Sequence, residues 1–217
     1  MKSLLIDTST EALILILTED DKVIDYHYEI IKRDHSTLLM PNLDNLLARN
    51  HFDISEIDRL IVTEGPGSYT GVRIGVTVAK TLSYALNIPL YKVSTLELMA
   101  SSFIDKGMYI MPIIDARRGN VFGALYHVKQ NRLVPIYPDQ LYSFSELLEN
   151  VKQNISEDVL VVGLGEVNLT DTQFTYLKVS DYFNPKCVFN VTLTLVDNVH
   201  TFVPSYKRKA EAELNLK

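Results

Sequence analysis

Residues 64–75 read EGPGSYTGVRIG and directly follow the apolar run Leu60-Ile61-Val62. This order predicts a strand, then a glycine-rich turn, then a helix. Residues four apart lie on one face of a helix, so one face of this helix carries only small side chains. Its members are Gly71, Gly75, Ala79 and Ser83. Glycine inside a helix costs roughly 0.5–1 kcal/mol relative to alanine, so we expect another helix or backbone to approach this face closely.

The same turn partly resembles a phosphate-binding loop. A Walker A loop requires Lys and then Ser or Thr directly after its last glycine, whereas Val72 and Arg73 follow here. The glycines of the turn are also spaced one residue too far apart for the dinucleotide fingerprint. Two interpretations remain: the amides of residues 68–70 bind an anion at the helix start, or Ser68 or Thr70 caps an ordinary helix.

Composition narrows the class of protein. The 217 residues are 47% apolar and 22% charged, which is typical of a soluble globular protein of one large domain or two lobes. No apolar run is long enough to cross a membrane, and Asp7 interrupts the apolar core that a signal peptide would need. The single cysteine, Cys187, fits a reducing compartment, so we expect a cytoplasmic protein. A net charge of −6 disfavours a protein that binds nucleic acid alone, and the basic cluster 207–209 is interpreted as a solvated tail.

Hydrophobic periodicity predicts two similar halves. The first half has strands at 3–7, 12–18, 22–30, 59–63 and 90–93 and helices at 36–50, 69–86 and 95–104. The second half has strands at 108–114, 121–128, 132–137 and 158–162 and a helix at 143–153. We therefore predict an α/β fold with two lobes of βββαβαβα type. The first lobe would span residues 1–106, and the second, smaller and less regular, residues 107–217.

The region 186–200 gives conflicting signals. Alternating apolar residues from Phe189 to Leu195 predict a strand. The pair Asn184-Pro185, however, is typical of the cap and first residue of a helix.

Residues that could perform chemistry are sparse. The five histidines are scattered, with no two of them three or four residues apart, so no helical metal-ligand pair exists. Ser9 and Ser68 lack the context of a nucleophile elbow. Asp7 and Asp115 each end the opening strand of a half, so both could face a cleft between lobes and hold the Mg²⁺ of a nucleotide. Alternatively, each carboxylate accepts hydrogen bonds from its own turn.

Eight blocks of the sequence match one family, and most of them fall within residues 4–126. They are Leu5–Thr10, His35-Ser36-x-x-Leu39-x-Pro41, Gly65–Gly75, Ala79-Lys80, Ile88-Pro89-Leu90, Val93–Glu97, Ile114–Arg118 and Pro204-x-Tyr206-x-Arg208. Together these blocks resemble the TsaB (YeaZ) family of bacterial tRNA threonylcarbamoyladenosine biosynthesis proteins.

The resemblance implies the two-lobed fold of actin, Hsp70 and sugar kinases (the ASKHA fold). It implies a non-catalytic scaffold with no catalytic residues, no metal and no cofactor of its own, although a nucleotide between subunits is left open. The implied partner is the catalytic subunit TsaD, in a heterodimer that the ATPase TsaE joins. This complex transfers threonylcarbamoyl to N6 of adenosine 37 in tRNAs that read ANN codons, so tRNA is reached only through the complex. Family members carry a glycoprotease-like label, but no protease constellation is visible.

The resemblance also assigns the partner-binding surface to helices 36–50 and 69–86. Its predicted residues are Leu39, Leu43, Leu46, Leu47, Tyr69, Gly71, Arg73, Gly75 and Ala79. The alternative is that both helices cover their own sheet. An unpaired apolar face would make the free protein a homodimer.

Asp7, Thr8 and Asp115 are the candidate nucleotide-binding residues, although the first turn lacks the glycine typical of kinase phosphate loops in this fold. The alternative function is a small-molecule kinase or ATPase of the same fold.

Overall fold

A computed structural model of the chain describes residues 1–31 and 34–207. The first half contains β1 (Lys2–Asp7), β2 (Ala12–Glu19), β3 (Lys22–Ile30), α1 (His35–Arg49), β4 (Arg59–Thr63), α2 (Tyr69–Leu86), β5 (Leu90–Val93) and α3 (Thr95–Ser101). The second half contains β6 (Tyr109–Asp115), β7 (Asn120–Lys129), β8 (Arg132–Ser143), α4 (Phe144–Asn154), β9 (Val159–Gly163), β10 (Phe174–Lys178), α5 (Val179–Tyr182) and β11 (Thr194–Leu195).

The two sheets repeat one topology. The first has the strand order β11-β5-β4-β1-β2-β3, and the second has the order β10-β9-β6-β7-β8. In each sheet the opening strand lies antiparallel to the next strand of the chain and parallel to the strand that follows the first helix. This repetition confirms the predicted two-lobed α/β fold.

The second lobe departs from the predicted βββαβαβα pattern. In the first lobe α2 connects the parallel strands β4 and β5, whereas residues 164–173 join β9 to β10 with turns and coil. Parallel strands are usually joined by a crossover helix. The second lobe is therefore βββαββα, and the prediction of a second crossover helix is wrong.

The chain returns to the first lobe near its end. Strand β11 pairs with β5, and Cys187 and Val188 pack in the same core as Leu5 and Ile61 of the first sheet. The prediction that the second lobe runs from residue 107 to residue 217 is therefore wrong for residues 185–207. Arg208, Lys209 and the rest of the predicted tail lie outside the described residues.

Both signals in the region 186–200 are real, but they belong to different segments. The Asn184 side chain accepts a hydrogen bond from the Lys186 amide at 3.1 Å and caps a 3₁₀ turn, Pro185–Phe189. Strand pairing is confined to β11. The Asn184 cap thus starts a short 3₁₀ turn, and of the alternating residues only Thr194 and Leu195 form a strand.

Helix α3 joins the two lobes. Leu96 and Ala100 pack with Ile110 and Val162 of the second sheet, while Leu98 packs with residues of the first sheet. A short, almost wholly buried helix therefore packs against both sheets.

Candidate partner-binding surface and interlobe cleft

The leucine stripe of α1 faces the chain's own core. Leu39, Leu43, Leu46 and Leu47 are at most 5% exposed and share one cluster with the leucines of β2. An amphipathic helix stabilises a fold by burying its apolar stripe, and all four leucines are used in this way. The prediction that these leucines supply apolar area to a partner is therefore wrong.

The small-residue face of α2 also packs inside the molecule. A Cβ atom on Gly71 would lie 2.2 Å from the carbonyl oxygen of Thr8, and one on Gly75 would lie 2.6 Å from the Thr8 Oγ1. Ala79 is fully buried. The close approach that the sequence predicts is confirmed, but the approaching backbone is the turn after β1. The prediction that Gly71, Gly75 and Ala79 contact a partner is therefore wrong, because these residues pack inside the chain.

The opposite faces of the two helices are exposed. We define the outer helix surface as the exposed residues Thr37, Met40, Pro41 and Asp44 of α1 together with Tyr69, Arg73, Thr77, Thr81 and Tyr84 of α2. Four of the α2 residues stand four positions apart and so form one row along the helix. Of the predicted partner-binding residues, only Tyr69 and Arg73 belong to this surface. The row was detectable in the sequence as the polar positions that complement the buried face.

Two tyrosines hold the Arg73 side chain in place. Its Nε donates a hydrogen bond to the Tyr206 hydroxyl at 2.6 Å, and its guanidinium carbon lies 3.8 Å from the centroid of the Tyr69 ring. The two rings lie 5.3 Å apart. This stack joins the first turn of α2 to the C-terminal segment. The sequence does not predict this contact, because Arg73 and Tyr206 are 133 residues apart.

Asp7 is bound within the turn that follows β1. Its Oδ1 accepts hydrogen bonds from the Ser9 amide at 2.8 Å, the Ser9 hydroxyl at 2.5 Å and the Thr63 hydroxyl at 2.7 Å. Burial raises the pKa of this carboxyl, and the hydrogen bonds from Ser9 oppose that rise. Thr8 donates its hydroxyl to the carbonyl of Gly71 at 2.7 Å. Asp7 therefore fastens its own turn to β4, and Thr8 fastens the same turn to α2.

A cleft of about 1210 Å³ lies between the lobes. Segments from both lobes line it: residues 9–11, 66–70, 115–117, 163–168 and 205–207. Asp115 is exposed at this cleft and accepts a hydrogen bond from the Arg117 amide at 2.8 Å. Asp7 is instead held in its buried turn, so the two carboxylates do not form the predicted pair. Among residues 1–31 and 34–207, no group of three or more His, Cys, Asp or Glu side chains is placed to hold a metal ion.

The start of α2 is capped by the chain itself. The Ser68 hydroxyl accepts a hydrogen bond from the Gly71 amide at 3.2 Å, which confirms the interpretation of Ser68 as the helix cap. The Ser68 amide donates to the carbonyl of Ser9 at 2.7 Å. This amide is therefore not available to an anion in this conformation.

The repeated sheets, the joining helix and the interlobe cleft define the class of two-lobed proteins that includes actin, Hsp70 and sugar kinases. A family model described as "TsaD: tRNA N6-adenosine threonylcarbamoyltransferase" matches residues 27–181. The tRNA threonylcarbamoyladenosine biosynthesis protein TsaB of Bacillus subtilis is 37% identical to this chain, with 98% of the chain and 96% of the relative covered. TsaB of Escherichia coli is 32% identical, with 76% of the chain and 72% of the relative covered.

The chain belongs to the TsaB (YeaZ) family of tRNA threonylcarbamoyladenosine biosynthesis proteins. The solved structure of YeaZ from Pseudomonas aeruginosa has the same fold, with a TM-score of 0.69 at 22% identity, and covers 94% of the chain and 99% of that protein. Of the helices in the described residues, none combines the length and apolar character needed to span a membrane.

Proposed function

We propose that this chain is a non-catalytic scaffold subunit that binds TsaD. The complex would form N6-threonylcarbamoyladenosine at position 37 of tRNAs that read ANN codons. Two findings support this proposal: the chain belongs to the TsaB family, and residues 27–181 match a TsaD model. Two chains of related fold can pair through equivalent elements in a pseudo-twofold arrangement.

The outer helix surface is the proposed docking site, and its exposure is the observation that carries the proposal. The leucines and glycines of α1 and α2 are used inside the fold, so a partner must meet the opposite faces of these helices. Thr77 and Thr81 leave the middle of the α2 row flat, while Tyr69, Arg73 and Tyr84 stand towards its ends. Tyrosine and arginine at such positions are typical anchors of protein interfaces.

The rest of the assembly follows from this role. We propose that TsaE joins the complex of this chain with TsaD and that tRNA is bound only through the complex, because the chain carries a net charge of −6. Without TsaD, the chain would pair with itself through the outer helix surface. A cytoplasmic location fits these partners, and the proposal leaves room for a nucleotide at the subunit interface.

Binding of TsaD tests the docking site directly. Thr77→Arg places a long cation in the flat middle of the α2 row and should lower TsaD affinity by about a hundredfold while the variant melts like the unmodified chain. The matched control is Thr172→Arg, an exposed threonine in the coil between β9 and β10, which should bind TsaD normally. Normal binding by Thr77→Arg would show that the partner sits elsewhere.

An ATP hydrolysis assay on the isolated chain separates the scaffold from the kinase or ATPase alternative. We expect no turnover, because Asp7 is buried and held by three hydrogen bonds within the fold. ATP turnover that disappears in a folded, TsaD-binding Asp115→Ala variant would overturn the scaffold proposal.

A further inference from the structure

The C-terminal segment lies along α2. We define residues 196–206 as the C-terminal strap. At one end the Val196 amide donates to the carbonyl of Leu90 at 2.9 Å, and near the other the Ser205 amide donates to the carbonyl of Glu64 at 2.8 Å. The strap contains turns but no helix or strand, so its position depends on side-chain contacts between these two ends.

Lys80 is the central contact of the strap. From the middle of α2 its ammonium group donates to the carbonyls of His200 at 3.1 Å and of Phe202 at 2.7 Å. Hydrogen bonds from a charged donor are roughly twice as strong as neutral ones. The Phe202 side chain is only 9% exposed and packs in the first-lobe core. Lys80 and Phe202 are therefore the central contacts of a segment that has no helix or strand pairing of its own.

The strap aligns with the exposed row of α2. Tyr206 meets Arg73 near the start of the helix, and His200 meets the Tyr84 ring near its end, with ring centroids 5.0 Å apart. Val203, between these two contacts, is 66% exposed, and Tyr206 itself is 44% exposed. The strap thus places exposed apolar and aromatic side chains along the edge of the outer helix surface.

We propose that the C-terminal strap forms part of the TsaD-docking surface and that Lys80 is the residue that positions it. This inference rests on the proposed function, because it assigns further residues to the same interface. A partner that docks on α2 meets Arg73 already fixed by Tyr69 and Tyr206, so little side-chain freedom is lost on binding. Release of the strap would free Arg73 and withdraw Val203 and Tyr206 from the surface.

Lys80→Met tests the positioning role because it keeps much of the aliphatic stem and removes the donors. Hydrogen–deuterium exchange should rise about tenfold within the strap but remain unchanged in β1 and β4, and TsaD affinity should fall about tenfold. The matched control is Lys22→Met, at the exposed first residue of β3, which should change neither measurement. Tyr206→Ala, at an exposed position, should lower TsaD affinity to a similar extent even if Lys80→Met folds poorly.

The outcomes separate this inference from the proposed function. If the unmodified chain does not bind TsaD, the proposed function fails and the inference fails with it. If the unmodified chain binds but Tyr206→Ala and a folded, strap-loosened Lys80→Met bind equally well, only the inference is overturned. If these variants change self-association in sedimentation and leave TsaD affinity unchanged, the strap faces a second copy of this chain and the inference is also overturned.

Discussion

The turns that open the two lobes begin alike and are used differently. In the first lobe β1 ends at Asp7, which is 2% exposed and accepts three hydrogen bonds. In the second lobe β6 ends at Asp115, which is exposed and accepts a hydrogen bond from the Arg117 amide. The elements around the two turns explain the difference. Helix α2 packs on the first turn, whereas the second lobe has coil where the equivalent helix would lie.

This comparison explains the small residues of α2. The backbone of Thr8 comes so close to the helix that a Cβ on Gly71 would overlap its carbonyl oxygen, and Thr8 returns a hydrogen bond to the Gly71 carbonyl. In the second lobe an ideal Cβ on Gly165 would meet no heavy atom of the described residues within 4 Å apart from its own chain neighbours. The glycines of α2 therefore mark where the turn after β1 packs directly against the crossover helix.

Gly75→Leu should have the largest effect. Its side chain would overlap the Thr8 hydroxyl, which is fixed by its bond to Gly71, so we expect a loss of more than about 3 kcal/mol in the free energy of unfolding. Since typical domains have only about 5–15 kcal/mol, the variant should melt early or fail to fold. Urea denaturation followed by circular dichroism measures the loss. A normal melt combined with lost TsaD binding would instead support the original interpretation of this face as an interface.

A double-mutant cycle locates the cause of that loss. Gly75→Ala should destabilise the chain, and Thr8→Ala removes the hydroxyl that the new methyl group would meet. The two changes together should cost about 1 kcal/mol less than the sum of the single changes. Gly165→Ala is the control from the second lobe and should lie within about 0.5 kcal/mol of the unmodified chain. Strict additivity of the two first-lobe changes would show that Thr8 is not the obstacle.

Asp7→Ala should have the next largest effect. It leaves the Ser9 amide and the Thr63 hydroxyl without their acceptor in a buried site, which should cost about 3 kcal/mol. Asp115→Ala removes a contact at an exposed turn and should cost less than about 0.5 kcal/mol. Chemical denaturation of both variants gives the comparison. Equal losses would mean that the two carboxylates contribute equally to the free energy of unfolding despite their different burial.

Asp7→Asn tests the burial of Asp7 through the pH dependence of stability. Burial raises the pKa of the folded carboxyl above its ordinary value of 3.8, so the folded state binds this proton more tightly than the unfolded state does. The stabilisation from that proton is complete below about pH 3.8 and is lost as the pH rises through the folded pKa. The unmodified chain should therefore gain stability relative to Asp7→Asn as the pH falls from neutral towards 4. The opposite trend would show that the hydrogen bonds from Ser9 and Thr63 outweigh burial.

Much of the fold could be read from the sequence, because strands and helices leave local patterns. The opening strands, the order of elements in the first lobe and the close approach to the small face of α2 were all predicted. What touches that face was not, because a helix pattern is the same whether the neighbour is a partner or the chain's own turn. The position of the strap could not be predicted for a related reason. Lys80 and Phe202 are far apart in the sequence, and neither has a local pattern that points to the other.

The smallest expected effect lies in the second opening turn. Residues 117–120 form a tight turn closed by a hydrogen bond from the Asn120 amide to the Arg117 carbonyl at 3.0 Å. Its central residues, Arg118 and Gly119, have φ angles of 56° and 75°, a combination that the dipeptide Asn-Gly adopts most readily. Arginine pays a steric cost in this left-handed region because its Cβ crowds the following carbonyl.

Arg118→Asn should therefore raise the free energy of unfolding by about 0.5 kcal/mol, after allowance for the interaction that Arg118 makes. Urea denaturation of the variant beside the unmodified chain measures the gain. The first lobe offers the contrast, because its turn is fixed by Asp7 and by α2 rather than by its own backbone preference. If Arg118→Asn lowers stability, interactions of arginine at this position outweigh the backbone strain, and the second turn is also held by more than its own backbone preference.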